Sequence, residues 1–256
     1  MKTNILLDTN IFLAKVLPKH LWKEEITTFF DKLEKIKKKN KKNLEILTTE
    51  LIREEISRII NQVVKFLNKE YRIIINGIQQ LDQPFDKESL LELKRRFNQA
   101  ISAQKRGKTR ERDRQMLLFI ENHLLQVISE NPTAEKKTLL FQVFNTVNNF
   151  EVQLKNSIEQ LLIDQQIRKI ILPQEIQEQQ KIDKLKKKIA LQNTADARIL
   201  AHFLYHLELT QKHEASVGLL LTLDFGDFHA YSSRLETLFT NLTILRPNYL
   251  LCFFPC

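Results

Sequence analysis

Asn4-Ile5-Leu6-Leu7-Asp8-Thr9-Asn10 is a short apolar run that stops abruptly on three polar residues. A strand buried on both faces of a parallel sheet reads this way, continuous rather than alternating. The stretch therefore predicts a strand at 4–7 followed by a polar turn. Three later segments repeat the pattern. Leu44–Leu47 precede Thr48 and Thr49, which are placed to cap a following helix. Gly218–Thr222 run into Leu223-Asp224, and Leu242–Leu245 run into Arg246-Pro247. Such strands, separated by helical stretches, imply an α/β fold: a parallel sheet flanked by helices.

Helical periodicity fills the space between them. Trp22, Ile26, Phe29, Phe30, Leu33 and Ile36 mark one helix, and the basic run Lys35 to Lys42 follows as a solvated connector. Ile52, Ile56, Ile59, Val63, Leu67, Tyr71, Ile74, Ile78 and Leu81 mark a long one, broken at Asp82–Asp86 by Pro84. Further patterns lie at Ser89–Ala103 and around Met116 to Val127. Leu140 to Leu161 come close to a heptad seam, and a lysine-rich helix runs up to Ile189. Asp196, Ile199, Leu200, Phe203 and Leu207 mark a helix that Thr194 can cap, and a shorter one lies near Leu235–Phe239. The strand–helix units at the two ends thus predict one discontinuous domain, 1–60 and 191–256. An all-helical insertion, 61–190, interrupts it.

The 256-residue composition is that of a folded chain, 43% hydrophobic and 28% charged. Only 4 Gly and 6 Pro are present, which excludes a turn-rich all-β protein. Cys252 and Cys256 are the two cysteines, too few for a disulfide framework, so a cytoplasmic location is expected. Asp8 interrupts the first apolar run too early for a secretory signal, and no run approaches the roughly 18 residues that span a bilayer, so no membrane association is expected. The formal net charge of +9 points to a polyanionic partner.

Four acidic residues fall where a parallel sheet places chemistry, beyond the carboxyl ends of its strands. Asp8 follows the first strand, Asp224 follows the strand at 218–222, and Glu54 lies a turn into the helix after the second strand. Asp196 sits in the first turn of its own helix, where its charge also suits the helix dipole. Taken singly, Asp8 and Asp224 are ordinary turn caps, and Glu54, beside Glu50 and Glu55, is an ordinary solvated helix face. Together they would repel one another by roughly 4 kcal/mol per pair at about 4 Å and an intermediate dielectric. A divalent cation relieves that repulsion, and oxygen ligands suit Mg²⁺ or Mn²⁺. Such ions promote phosphodiester hydrolysis.

These residues resemble the sequence blocks of the PIN-domain (VapC-like) ribonuclease family. Asn4-Ile5-Leu6-Leu7-Asp8-Thr9-Asn10-Ile11-Phe12-Leu13 resembles the family's opening strand and turn. Leu47-Thr48-Thr49-Glu50-Leu51-Ile52-Arg53-Glu54-Glu55 is similar to its second block, and Thr194-Ala195-Asp196-Ala197-Arg198 to its third. Leu220-Leu221-Thr222-Leu223-Asp224-Phe225-Gly226-Asp227-Phe228 is similar to the fourth, and Leu242–Pro247 to the closing strand. The blocks cover the two ends of the chain, about half of it. A compact PIN domain lacks the long central insertion.

The resemblance implies an endoribonuclease dependent on Mg²⁺ or Mn²⁺, with Asp8, Glu54, Asp196 and Asp224 as catalytic and metal-holding carboxylates. Glu55 and Glu50 are register alternatives to Glu54. Asp227 would be an additional outer ligand, and Thr222 and Asn10 would orient carboxylates or water. RNA is the expected partner, and a toxin or defence role fits the resemblance. Other readings are an RNA-binding protein that does not cut, an interaction scaffold and a structure-specific DNA nuclease. Lys94-Arg95-Arg96, Lys105 to Arg114 and Lys184 to Lys188 are candidate phosphate contacts, and equally solvated helix faces. The seam around Leu140 to Leu161 suits a homodimer or an inhibitory protein partner. His202 and His206 stand one helical turn apart with no third ligand, and read as structural.

Overall fold

The structure is a computed structural model. It describes residues 1–17, 20–40, 43–80, 135–171, 194–223 and 228–250, with isolated positions among 88–130 and 179–187 and at 254. Most of the helical patterns at 89–103 and 116–127, most of the basic clusters, Asp224, Asp227, Cys252 and Cys256 lie outside the described residues. The chain divides into two compact units. The first comprises Met1–Val16, Leu21–Ser57 and Ile158–Cys256; the second comprises Leu17–His20 and Arg58–Ser157.

The first unit is built on five parallel strands: β1 (Lys2–Leu7), β2 (Leu44–Thr48), β3 (Arg168–Lys169), β4 (Ser216–Leu221) and β5 (Leu242–Leu245). Their order across the sheet is β3-β2-β1-β4-β5. β1 is central, and its Ile5, Leu6 and Leu7 have no exposed surface, as the unbroken apolar run predicts. Helices α1 (Thr9–Val16), α2 (Lys23–Lys39), α3 (Glu50–Gln80), α4 (Lys136–Asp164), α5 (Thr194–Gln211) and α6 (Ser232–Leu238) accompany the strands. The expected α/β architecture with an all-parallel sheet is therefore present.

Local chemistry explains where these elements begin and end. α2 carries Glu24 and Glu25 in its first turn and Lys37, Lys38 and Lys39 in its last, matching the helix dipole at both ends. Its Ile26, Phe29, Phe30, Leu33 and Ile36 are buried. Thr49 caps α3, its Oγ1 accepting the Ile52 N–H at 3.2 Å. α5 leads into β4 and packs against it closely: a Cβ added at Gly218 would run into Leu207 and Phe203. That approach requires glycine.

The first unit holds a strand within the stretch that periodicity assigns to helices. α4 ends in a two-bond cap, with the Gln166 N–H on the Ile163 carbonyl at 2.9 Å and the Ile167 N–H on the Leu162 carbonyl at 2.8 Å. Gln166 takes the left-handed position of this cap, with φ 48°. β3 follows at once, paired with β2 through Leu47↔Arg168 and Thr48↔Lys169. Its side chains are exposed, so it carries no apolar signal. The sequence boundary at 191 and the structural boundary at 158 differ for this reason.

β5 ends the sheet on the other side. The Leu242 N–H is taken by the Phe239 carbonyl at 2.9 Å, and the Ile244 N–H by Glu236 Oε1 at 2.9 Å. Both donors are answered from α6 and the residue just beyond it.

In the second unit, Ile59, Ile60, Val63, Val64 and Ile78 of α3 are buried, as are Leu139, Val143, Phe150 and Leu154 of α4. Lys136 Nζ donates to the Gln79 carbonyl at 3.3 Å. Among the described residues no helix is long and apolar enough to cross a membrane.

Candidate active site

Because every strand is parallel, all carboxyl ends share one edge of the sheet. The chain order reverses between β1 and β4, where β1 continues to β2 on one side and β4 to β5 on the other. Ligands of open parallel sheets bind in the crevice at such a reversal. Leu7 pairs with Leu221 and Leu221 with Leu245. The next residues, Asp8, Thr222 and Arg246, therefore succeed one another along that edge.

Asp8 is 5% exposed and collects hydrogen bonds on both carboxylate oxygens. The Thr9 N–H donates to Oδ1 at 2.7 Å, while Asn10 Nδ2 and Thr222 Oγ1 donate to Oδ2 at 2.7 and 2.6 Å. Asn10 also contacts Thr222 Oγ1 at 3.1 Å, and its Oδ1 accepts the Leu223 N–H at 2.9 Å. One amide thus ties the turn after β1 to the turn after β4. Donors on both oxygens fix the orientation of this carboxylate.

The second acidic position resolves into three environments. Glu54 is exposed on α3. Glu50 is ion-paired with Lys169 at 2.7 Å, a bond that holds its carboxyl below the usual range. Glu55 accepts the Thr9 hydroxyl at 2.8 Å and is thereby joined to the Asp8 turn. The structure brings Glu55 to that turn, rather than the favoured Glu54. Helical phase carries this signal: Glu55 is three residues from buried Ile52 and four from Ile59, on one face, whereas Glu54 is two from Ile52 and points away.

Asp196 is buried in the first turn of α5. α5 runs antiparallel to β4 and meets Gly218 at Leu207. From Leu207 back to Asp196 the helix climbs about 16 Å, and from Gly218 to Thr222 the strand climbs about 13 Å. Asp196 therefore stands near the level of Thr222. Asp224 and Asp227 lie outside the described residues, though the N–H of Leu223 just before them is held by Asn10. His229, not singled out from sequence, places Nε2 3.4 Å from the Thr222 carbonyl.

The donor set at this edge is carboxylate oxygen flanked by hydroxyl and amide groups, the ligand chemistry of Mg²⁺ or Mn²⁺. Among the described residues no three His, Cys, Asp or Glu side chains form a group able to hold one ion. His202 is buried and His206 half-buried on α5. Burial lowers the pKa of His206, with Glu45 opposing the shift and Lys2 and Arg168 adding to it. Comparison of the chain with protein-family models, with curated proteins and with solved structures finds no match.

Proposed function

We propose that the chain is a metal-dependent endoribonuclease working at the carboxyl edge of its sheet. The observation that carries this reading is the hydrogen-bonded join of Asp8 to Thr222 where the chain order reverses, with Glu55 tied in through Thr9. The resemblance of the surrounding blocks to PIN-domain ribonucleases supports it, as does the net charge of +9. A toxin or defence role rests on the resemblance alone.

The resemblance gives the divalent ion to Asp8, Asp196, Asp224 and a second acidic residue, with Asp227 as a further ligand. The bond to Thr9 favours Glu55 over Glu54 as that second residue. Asp8, Glu55 and Asp196 alone do not form a group able to hold an ion. When bound, Mg²⁺ or Mn²⁺ supplies a nucleophile at neutral pH and offsets the charge developing on the phosphate. The chain's own contribution is orientation. Thr9, Asn10 and Thr222 fix both oxygens of Asp8, so that carboxylate needs no reorganisation when substrate arrives. Thr9 turns Glu55 toward the same place.

Cleavage of total cellular RNA with mapping of the ends tests the reading, in Mn²⁺ or Mg²⁺ and in chelator. Cuts are expected that vanish both in chelator and in Asp8→Asn. A folded protein that leaves RNA intact, or cuts equally well as Asp8→Asn, would overturn it. RNA binding without cuts would instead support a protein that holds RNA without hydrolysing it.

A further inference from the structure

We propose that the outward face of α4 is a contact between two copies of the chain, which meet antiparallel about Asn148. The inference stands apart from the nuclease reading.

The seam that periodicity marks on this helix faces inward. Val143, Phe150, Leu154, Ile158 and Leu161 are all buried. The opposite face is also apolar. Phe141, Phe144 and Val152 are 63%, 48% and 56% exposed. At about 100° per residue they share an arc of roughly 80° with Asn148. Single apolar residues on a surface need no explanation, but a row at helical spacing marks an interaction face.

The row matches itself when turned end for end. Phe144 lies four residues before Asn148, and Val152 four after. Phe141 lies seven before, and Lys155 seven after. Lys137 lies eleven before, and Glu159 eleven after. A second α4, reversed about Asn148, therefore sets Phe144 on Val152, Phe141 beside Lys155 and Lys137 against Glu159. The first pair is apolar on apolar, the second a cation on an aromatic ring, the third opposite charges. Each pair occurs twice, because a twofold contact uses the same patch on both copies. A parallel arrangement would instead set Lys137 on Lys137 and Glu159 on Glu159, which repel. Asn148 meets its own copy on the axis, where one amide in an apolar seam fixes the register.

The charged groups suit these roles. Glu159 pairs with Arg53 at 2.7 Å, yet its side chain is 57% exposed. A carboxylate in that position has lone pairs for a second cation. Lys155 pairs with Glu151 on its own helix and is half-exposed. From Lys137 to Glu159 the face runs about 33 Å. A contact one helix wide is small, so the dimer belongs to the weak, concentration-dependent class.

Sedimentation velocity of the whole chain, from about 1 to 100 μM, tests the contact. The sedimentation coefficient should rise from monomer to dimer across that range. Phe141→Asp alters an outward side chain, so the variant should fold normally and associate about a hundredfold more weakly, or worse. Lys137→Glu should weaken association by about tenfold, and adding Glu159→Lys should restore it to within about threefold. Under oxidising conditions Asn148→Cys should link two copies through position 148, identified by peptide mapping. Gln153→Cys, exposed on the flank of the helix, should not. A wild-type chain that stays monomeric at about 100 μM overturns the contact. So does a dimer that Phe141→Asp leaves intact, or one in which positions 148 and 153 link equally well.

Discussion

Thr222 Oγ1 donates a 2.6 Å hydrogen bond to Asp8 Oδ2, joining residues 214 positions apart. Both are buried, at 0% and 5% exposure, so the bond is neither solvated nor screened. Thr222→Val keeps the shape and removes the donor. The folded state should lose about 1–3 kcal/mol, visible as a lower melting temperature. RNA cleavage should fall about tenfold to a hundredfold. Unchanged melting and cleavage would show the bond to be incidental.

Glu55 and Glu54 are adjacent in sequence and separate in role. Glu55→Gln should lower RNA cleavage by about tenfold or more, because the carboxylate bonded to Thr9 is lost. Glu54→Gln, on the exposed face of α3, should stay within about twofold of wild type. Parallel kinetics of the two variants decide the matter, and the reverse ranking would restore Glu54 to the site.

Gln166 holds a left-handed conformation at the end of α4, φ 48°, where a side chain is strained. Gln166→Gly should stabilise the first unit by about 0.5–1 kcal/mol, the relief of strain being partly offset by the entropy of glycine. Thermal unfolding should shift upward by about 2 °C. A downward shift would mean that the Gln side chain contributes more than its backbone strain removes.

His206 predicts a dependence on acid. Its folded pKa lies below 6.5, chiefly through burial, so the folded chain favours the neutral ring. Below pH 6.5 the unfolded chain binds the proton more readily, and stability from this group is lost as pH falls toward the folded value. Above 6.5 that contribution is complete. Melting temperatures measured downward through pH 6.5 should decline, and His206→Gln should flatten that part of the curve. An identical decline in the variant would assign the effect to other groups.

The strands were legible because burial on both faces leaves an unbroken apolar run, as at Ile5-Leu6-Leu7. The long stripe of α3 was legible for a different reason: burial of one face leaves apolar residues every three or four positions. α1 was not: Asp-Thr-Asn reads as a polar turn, yet Thr9 already begins a helix, with the Ile11 N–H on the Asp8 carbonyl at 3.1 Å. β3 was hidden by its exposed side chains, and the cap that aims it uses Gln where glycine is the usual signal. At the site, Asp8 was legible from its place after an apolar strand, while its partners Asn10 and Thr222 followed only from the family resemblance. Glu55 needed the phase of the helix, which one acidic letter beside another does not convey.

The outer strand β5 has a consequence for the protein in a crowded solution. A sheet that ends on free N–H groups invites another chain to add a strand, and from there to aggregate. Here Phe239 and Glu236 already occupy the donors of Leu242 and Ile244. A newcomer must first dislodge α6 and then lie against a carboxylate. The two outward N–H groups of β5 are thus answered from within the chain, which removes them as points where a further strand could pair.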